Sequence, residues 1–216
     1  MTSQSFRPPR QARSVATLDR IVRAAQELFA ERGYDQTTVD DIVARAGSSK
    51  GSFYSRFADK GALLAYLGGE CLAQSKATWA EQFDPDRVAG APLSEVIDEF
   101  VGRLLDEYQE QRSVLRALVL EARLHPGNEF ERMTDDLDAH VRDTLAALLA
   151  ARAGEIGHRD PAQAARVGLL MLDATLREAV MFADGRGRPL AVPAPELRRE
   201  LTRAFLAYLG SEPADR

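Results

Sequence analysis

Apolar positions recur along this chain at the three- and four-residue spacing of helix faces. Leu18, Ile21, Val22, Ala25, Leu28 and Phe29 form a first face. Gly33 ends it, because glycine tolerates the left-handed backbone beyond a helix terminus. Thr37-Thr38 then opens a second helix. Thr38 with Asp41 three residues on makes a capping box, and Val39, Ile42, Val43 and Ala46 form the buried stripe. Gly47 breaks that helix and Ser48-Ser49 caps a third, which Phe53 and Phe57 anchor at i and i+4. Two short helices joined through a glycine turn, with a longer helix across them, make the helix-turn-helix arrangement.

Beyond Asp59-Lys60 the pattern stays helical. Leu63, Leu64, Leu67 and Cys71 lead towards Trp79. Residues 84–92, with two prolines and Gly90, read as a loop. Stripes follow at Leu93–Tyr108, Val114–Val119 and Phe130–Leu148, the second closed by His125-Pro126-Gly127. Asp160-Pro161 is a strong helix start, and the segment to Ala183 is apolar nearly all round, the mark of a helix covered on both sides. Residues 184–195 read as a loop, and a last helix from Pro195 carries Leu197, Leu201, Phe205 and Leu209 on one side. No alternating strand and no internal repeat emerges. The fold class is all-α: an N-terminal three-helix DNA-binding domain and a larger helical domain.

Charge sharpens this division. Of 216 residues, 45% are hydrophobic and 28% charged, with net charge −5. Residues 1–60 hold ten Lys/Arg against seven Asp/Glu; the remainder holds eighteen against twenty-six. A basic first segment on an acidic body points to DNA. Residues 1–16, polar and with Arg7, Arg10 and Arg13, read as a flexible basic arm; 17–60 as the DNA-binding domain; 61–216 as the helical body. Cys71 is the only cysteine, so an intrachain disulfide and a multi-thiolate zinc site are excluded; it reads as an apolar filler. No apolar run spans a bilayer and no secretory pattern follows the N-terminal arginines, so a cytoplasmic, bacterial protein with no membrane partner is expected. Phosphate-binding glycine loops, zinc clusters and nucleophile elbows are missing from the sequence, which speaks against an enzyme and against a cofactor.

The segment 37–64, TTVDDIVARAGSSKGSFYSRFADKGALL, closely resembles the signature of TetR-type regulators through Thr37, Thr38, Asp41, Ile42, Ala46, Gly47, Tyr54, Phe57 and Lys60, with Gly33-Tyr34 before it. Ser48, Ser55, Arg56 and Gly61 depart from that pattern and bear on which operator is read. The resemblance implies a homodimer on an inverted-repeat DNA operator. The helical body then pairs with its mate through the last two long helices and takes a small-molecule effector that releases the DNA. An activator, or a DNA-bound adaptor working through protein partners without an effector, is the alternative.

Base contacts are expected from Ser49, Lys50, Ser52 and Ser55, with Gly51 allowing close backbone approach. Phosphate contacts are expected from Tyr54, Thr38 and Lys60, Thr38 also capping its helix. The plainer alternatives are a solvated surface lysine at 50 or 60 and a core Tyr54 with a wet hydroxyl. Arg7, Arg10 and Arg13 are arm candidates for backbone or minor-groove contact. For the effector pocket the candidates are Trp79, Phe100, Leu104, Met133, Met171, Thr175 and Glu178, with core packing as the plainer alternative for each. Glu178, a carboxylate on an apolar helix, needs a partner: Arg177, a residue of the mate, solvent or a cationic ligand. For the dimer interface they are Leu170, Ala174, Leu201, Phe205 and Tyr208. His125 and His140 are read as surface or core histidines, with no metal site expected.

Overall fold

The computed structural model describes residues 12–182 and 192–210, all helix and connecting turn with no strand among them. Ten α-helices run in order: α1 (Ala12–Arg32), α2 (Val39–Arg45), α3 (Lys50–Tyr54), α4 (Lys60–Gln82), α5 (Pro85–Val88), α6 (Leu93–Glu110), α7 (Arg112–Leu124), α8 (Glu129–Ala151), α9 (Pro161–Leu176) and α10 (Ala194–Leu209). Helix α1 starts five residues before the Thr17 that apolar periodicity marks, so Arg13 lies within a helix and not in an arm. Polar Ala-Arg-Ser sequence is competent for helix once a longer amphipathic segment nucleates it. Arg7 and Arg10 lie outside the described residues. The expected loop at 84–92 contains α5, capped by Asp84, whose carboxylate accepts from the Asp86 and Arg87 amides, with Pro85 leading.

Two compact units emerge, each drawn from two stretches of chain: Met1–Leu72 with Arg112–Thr134, and Ala73–Gln111 with Asp135–Arg216. The first unit's core holds Ile21, Leu28, Phe29, Ile42, Phe53, Phe57 and Leu63, and the same cluster takes in Val114, Ala117 and Leu118 of α7 and Phe130 of α8. The three-helix unit is too small to cover its own apolar surface, and distant chain completes it.

In the second unit Trp79, Phe83 and Phe100 pack ring on ring at 4.8–5.5 Å between centroids. Arg152 is buried at the end of α8, where its guanidinium donates to the carbonyls of Ala91 (2.8 Å) and Val88. Helices α9 and α10 cross closely at Gly168, where a β-carbon would stand 2.1 Å from the Phe205 ring. A single π-helical turn, Arg177–Met181, follows α9. Arg177 there bridges Asp173 (2.7 Å) and Asp138 (2.9 Å), and the Tyr108 hydroxyl donates to Asp173. Arg198 pairs with Asp98 at 2.7 Å, and Thr202 donates to the same carboxylate.

Helix α9 covers one of its two apolar sides within its own chain. Leu170 is 66% exposed, Met171 42% and Val167 36%, while Leu169, Leu172 and Leu176 face the core. Both faces are apolar, and one is open.

Candidate nucleic-acid interface

Helix α3 has only five residues, and two phenylalanines fix it. Phe53 and Phe57 are fully buried with rings 5.5 Å apart. Burying each contributes about 1.5–3 kcal/mol. Their anchoring leaves Ser49, Lys50, Gly51, Tyr54 and Ser55 exposed along the other edge, with Ser52 half-buried. Tyr54 is 52% exposed and packs edge-on against Phe53 at 5.4 Å. A core role for Tyr54 is thereby excluded. Gly47, at φ +55°, makes the turn into α3.

The serines of α3 are partly committed to the helix. Ser49 Oγ accepts from the Ser52 amide at 3.2 Å as the N-cap and donates to Ser52 Oγ at 3.1 Å. Ser55 Oγ donates to the Ser52 carbonyl at 2.8 Å. Lys50 Nζ pairs with Asp40 of α2 at 2.7 Å, which raises the lysine pKa. Exposed hydrogen bonds and ion pairs of this kind are weak enough for a ligand to exchange.

Thr38 makes both halves of the capping box. Its hydroxyl accepts from the Asp41 amide at 3.2 Å, and its own amide donates to Asp41 Oδ2 at 2.9 Å. The Thr38 bonds, helped by Arg32 at 2.7 Å, hold the Asp41 pKa down to about 2. Arg45 clamps α2 to α1 through Glu31 (2.8 Å) and Glu27 (3.4 Å), and Arg20 Nε donates to the Ala46 carbonyl at 3.1 Å.

Lys60 departs from expectation. Its Nζ turns inward and donates to the carbonyls of Tyr34 (2.7 Å) and Thr37 (2.9 Å), 4.0 Å above the Tyr34 ring. Burial lowers its pKa. Two of the ammonium's three N–H donors thus have acceptors within the protein. The ammonium satisfies two carbonyls that the bend between α1 and α2 leaves without helical partners.

The expected effector residues differ in their surroundings. Trp79, Phe100 and Leu104 lie in the second unit's core, and the Trp79 indole N–H donates to the buried carboxylate of Glu107 at 2.5 Å. Met133 packs on the first unit's core. Met171, Thr175 and Glu178 are exposed, the Thr175 hydroxyl donating to the Met171 carbonyl. Arg177 pairs with Asp138 and Asp173. A cleft of about 380 Å³ in the second unit is lined instead by Thr78, Glu81, Gln82, Arg87, Val88, Ala91, Val96 and Glu99. Of the dimer candidates, Leu170 and Ala174 are exposed and Leu201 and Tyr208 half-buried; Phe205 is buried within its own chain against Gly168, which takes it out of the set. No group of three or more metal-ligating side chains occurs among the described residues, and no described helix is long and apolar enough to cross a membrane.

The family described as "Bacterial regulatory proteins, tetR family" matches residues 21–67, the span of this helix-turn-helix. A second description, "Tetracyclin repressor-like, C-terminal domain", matches 92–209, more than half of the chain. The chain belongs to the TetR family. That family is one of bacterial regulatory proteins, and the chain spans under half the length of the first curated relatives that it matches. It is 27% identical over 179 residues to the HTH-type transcriptional regulator TtgR of Pseudomonas putida, covering 78% of this chain and 82% of that one. It is 28% identical over 137 residues to the uncharacterized HTH-type transcriptional regulator YerO of Bacillus subtilis, covering 59% of this chain but only 45% of YerO. The fold is that of a putative TetR-family regulator from Mesorhizobium loti, with TM-score 0.69 at 24% identity over 93% of this chain and all of that one.

Within this TetR-family chain, sequence reasoning missed Asp40, the carboxylate beside Lys50, and the structural arginines Arg20, Arg32 and Arg45. Their partners lie 9–26 residues away in sequence, and no local pattern marks such pairs.

Proposed function

We propose that this regulator acts as a homodimeric repressor that reads an inverted-repeat operator with α3 and releases it when a small molecule binds the helical body. The observation that carries the DNA half is the exposed edge of α3, where Ser49, Lys50, Gly51, Tyr54 and Ser55 stand out behind two buried phenylalanines. Lys50 offers donors to guanine O6 and N7, Gly51 leaves room for backbone approach, and Tyr54 and Thr38 supply hydroxyls to phosphates.

The dimer half is supported by α9. Leu170, Met171 and Val167 form an open apolar strip with Ala174 beside it, on a helix whose other side is fully used by its own core. A second copy of the same strip is its natural cover, an isologous contact. Two α3 helices then face the duplex about one turn apart, roughly 34–36 Å. The repressor reading rests on the likeness of the C-terminal part to the tetracycline repressor. Release requires that the effector bind the DNA-incompetent spacing more tightly than the competent one.

Mapping binding sites across the genome of the source cell tests this. Inverted repeats at or overlapping promoters, with transcription rising when the gene is deleted, are expected. Sites lying upstream of promoters, with transcription falling on deletion, indicate the activator instead. Sedimentation supplies the oligomer test: a dimer for the unmodified chain and a monomer for Leu170→Glu are expected, and a dimer for both removes α9 from the interface.

A further inference from the structure

The inward seat of Lys60 has a second consequence for DNA binding. Lys60 is the first residue of α4, and its ammonium holds the carbonyls of Tyr34 and Thr37. The second of these belongs to the peptide that leads directly into Thr38, the N-cap of α2. Thr37 itself is buried, its hydroxyl donating to the Gly33 carbonyl at 2.8 Å. One cation thus gathers the turn that follows α1, the cap of α2 and the start of α4 at a single point. Asp59 stiffens the same corner by accepting from the Ala62 amide at 2.7 Å.

The helices downstream of that corner are short. Seven residues in α2 and five in α3 set little of their own orientation. Their tilt depends on side-chain anchors: Phe53 and Phe57 below, Arg45 on α1, and the Thr37–Thr38 peptide at the entrance.

Resting on the DNA-binding reading above, we propose that Lys60 is a positioning residue, which orients the helix-turn-helix by pinning the Tyr34 and Thr37 carbonyls and makes no phosphate contact of its own. Without it the DNA-competent orientation is one of several, and apparent affinity falls by the fraction of molecules that retain it. The loss is uniform across sequences, because every α3 contact is displaced together.

The experiment is a fluorescence-anisotropy titration of a mixed-sequence duplex at several salt concentrations, with the full chain and its Lys60→Met, Lys60→Gln, Thr38→Ala and Lys60→Met/Thr38→Ala variants. All are held well below their unfolding midpoints, read by circular dichroism. Lys60→Met is expected to weaken binding roughly tenfold, the loss of charge-assisted bonds to two carbonyls, with the slope of log K against log salt unchanged. Lys60→Gln retains a neutral amide donor in place of the ammonium and is expected to show a smaller loss with the same slope. The double variant is expected to lose less than the two single losses combined, since both act on one peptide.

A slope smaller by about 0.9 makes Lys60 a phosphate ligand and overturns the inference. Full affinity in Lys60→Met overturns it as well, and strictly additive losses reduce Lys60 to a general stabiliser. If the unmodified chain binds no duplex at low salt, the DNA-binding reading itself fails and this inference with it.

Discussion

Lys50 Nζ lies 2.7 Å from the carboxylate of Asp40, so the cation proposed to read bases is held by an anion on the neighbouring helix. Both side chains are more than half exposed, so the pair is weak and screened by salt. Asp40→Asn frees the lysine and removes a negative charge from the surface facing phosphates. Duplex affinity should rise roughly two- to fivefold at low ionic strength and less at higher salt. Lys50→Ala should relax base preference without abolishing binding. An affinity for Asp40→Asn at or below that of the unmodified chain, in the same titration, counts against the pair as a restraint on Lys50.

The Asp41 carboxyl titrates at about 2 in the folded chain because Thr38 and Arg32 stabilise its charged form. A carboxylate lowered by folding contributes stability above its unfolded value of 3.8, and that contribution is lost as pH falls from there towards 2. The N-terminus of α2 should loosen across this window. An NMR titration of the Asp41 side chain reports it directly, and Thr38→Ala should move the midpoint up towards 3.8. An equal midpoint in both proteins contradicts the capping box as the cause.

His140 behaves in the opposite chemical sense. Burial and the nearby Lys76 lower its pKa, against the pull of Glu107 and Asp143, and its buried Nε2 has no hydrogen-bond partner. The unfolded chain takes up the proton first, so stability is present above the ordinary histidine value of 6.5 and declines as pH falls below it. Denaturant unfolding between pH 7 and pH 5 should show a shallower decline for His140→Leu than for the unmodified chain. Identical slopes place His140 outside this effect.

Gly168 faces the Phe205 ring where α9 crosses α10, and a β-carbon there would sit 2.1 Å from a ring carbon. Gly168→Ala should destabilise by about 1–3 kcal/mol, a cost of overpacking that the helical preference of alanine does not offset. Thermal unfolding of the single variant and of Gly168→Ala/Phe205→Leu checks this. The smaller side chain should restore part of the loss, and equal destabilisation in both variants contradicts the close crossing.

Periodicity carried much of the fold, for a physical reason: burial of one helix face imposes the spacing that the sequence displays. The capping box at Thr38, the turn at Gly47 and the burial of Phe53 and Phe57 are local signals found where they were read, although α3 ends at Tyr54 and leaves Phe57 beyond it. What escaped was non-local. Lys60 reads as a surface cation until Tyr34 and Thr37, more than twenty residues earlier, supply its acceptors. Phe205 reads as interface until Gly168 brings α9 against it. Met171 reads as pocket because apolar composition alone does not tell a core face from an open one; the structure puts it beside exposed Leu170. The ring cluster of Trp79, Phe83 and Phe100 was half visible, and its buried polar partner, Glu107, looked like one more solvated carboxylate.

The central claim is that α3, held outward by Phe53 and Phe57, reads a duplex in two symmetric copies. Selection of bound sequences from a randomised duplex pool at low ionic strength measures this most directly. The account predicts enrichment of an inverted repeat with half-site centres roughly one helical turn apart, and loss of that enrichment for Leu170→Glu. A pool that emerges unenriched, or enriched for single unpaired sites with the unmodified chain, contradicts it.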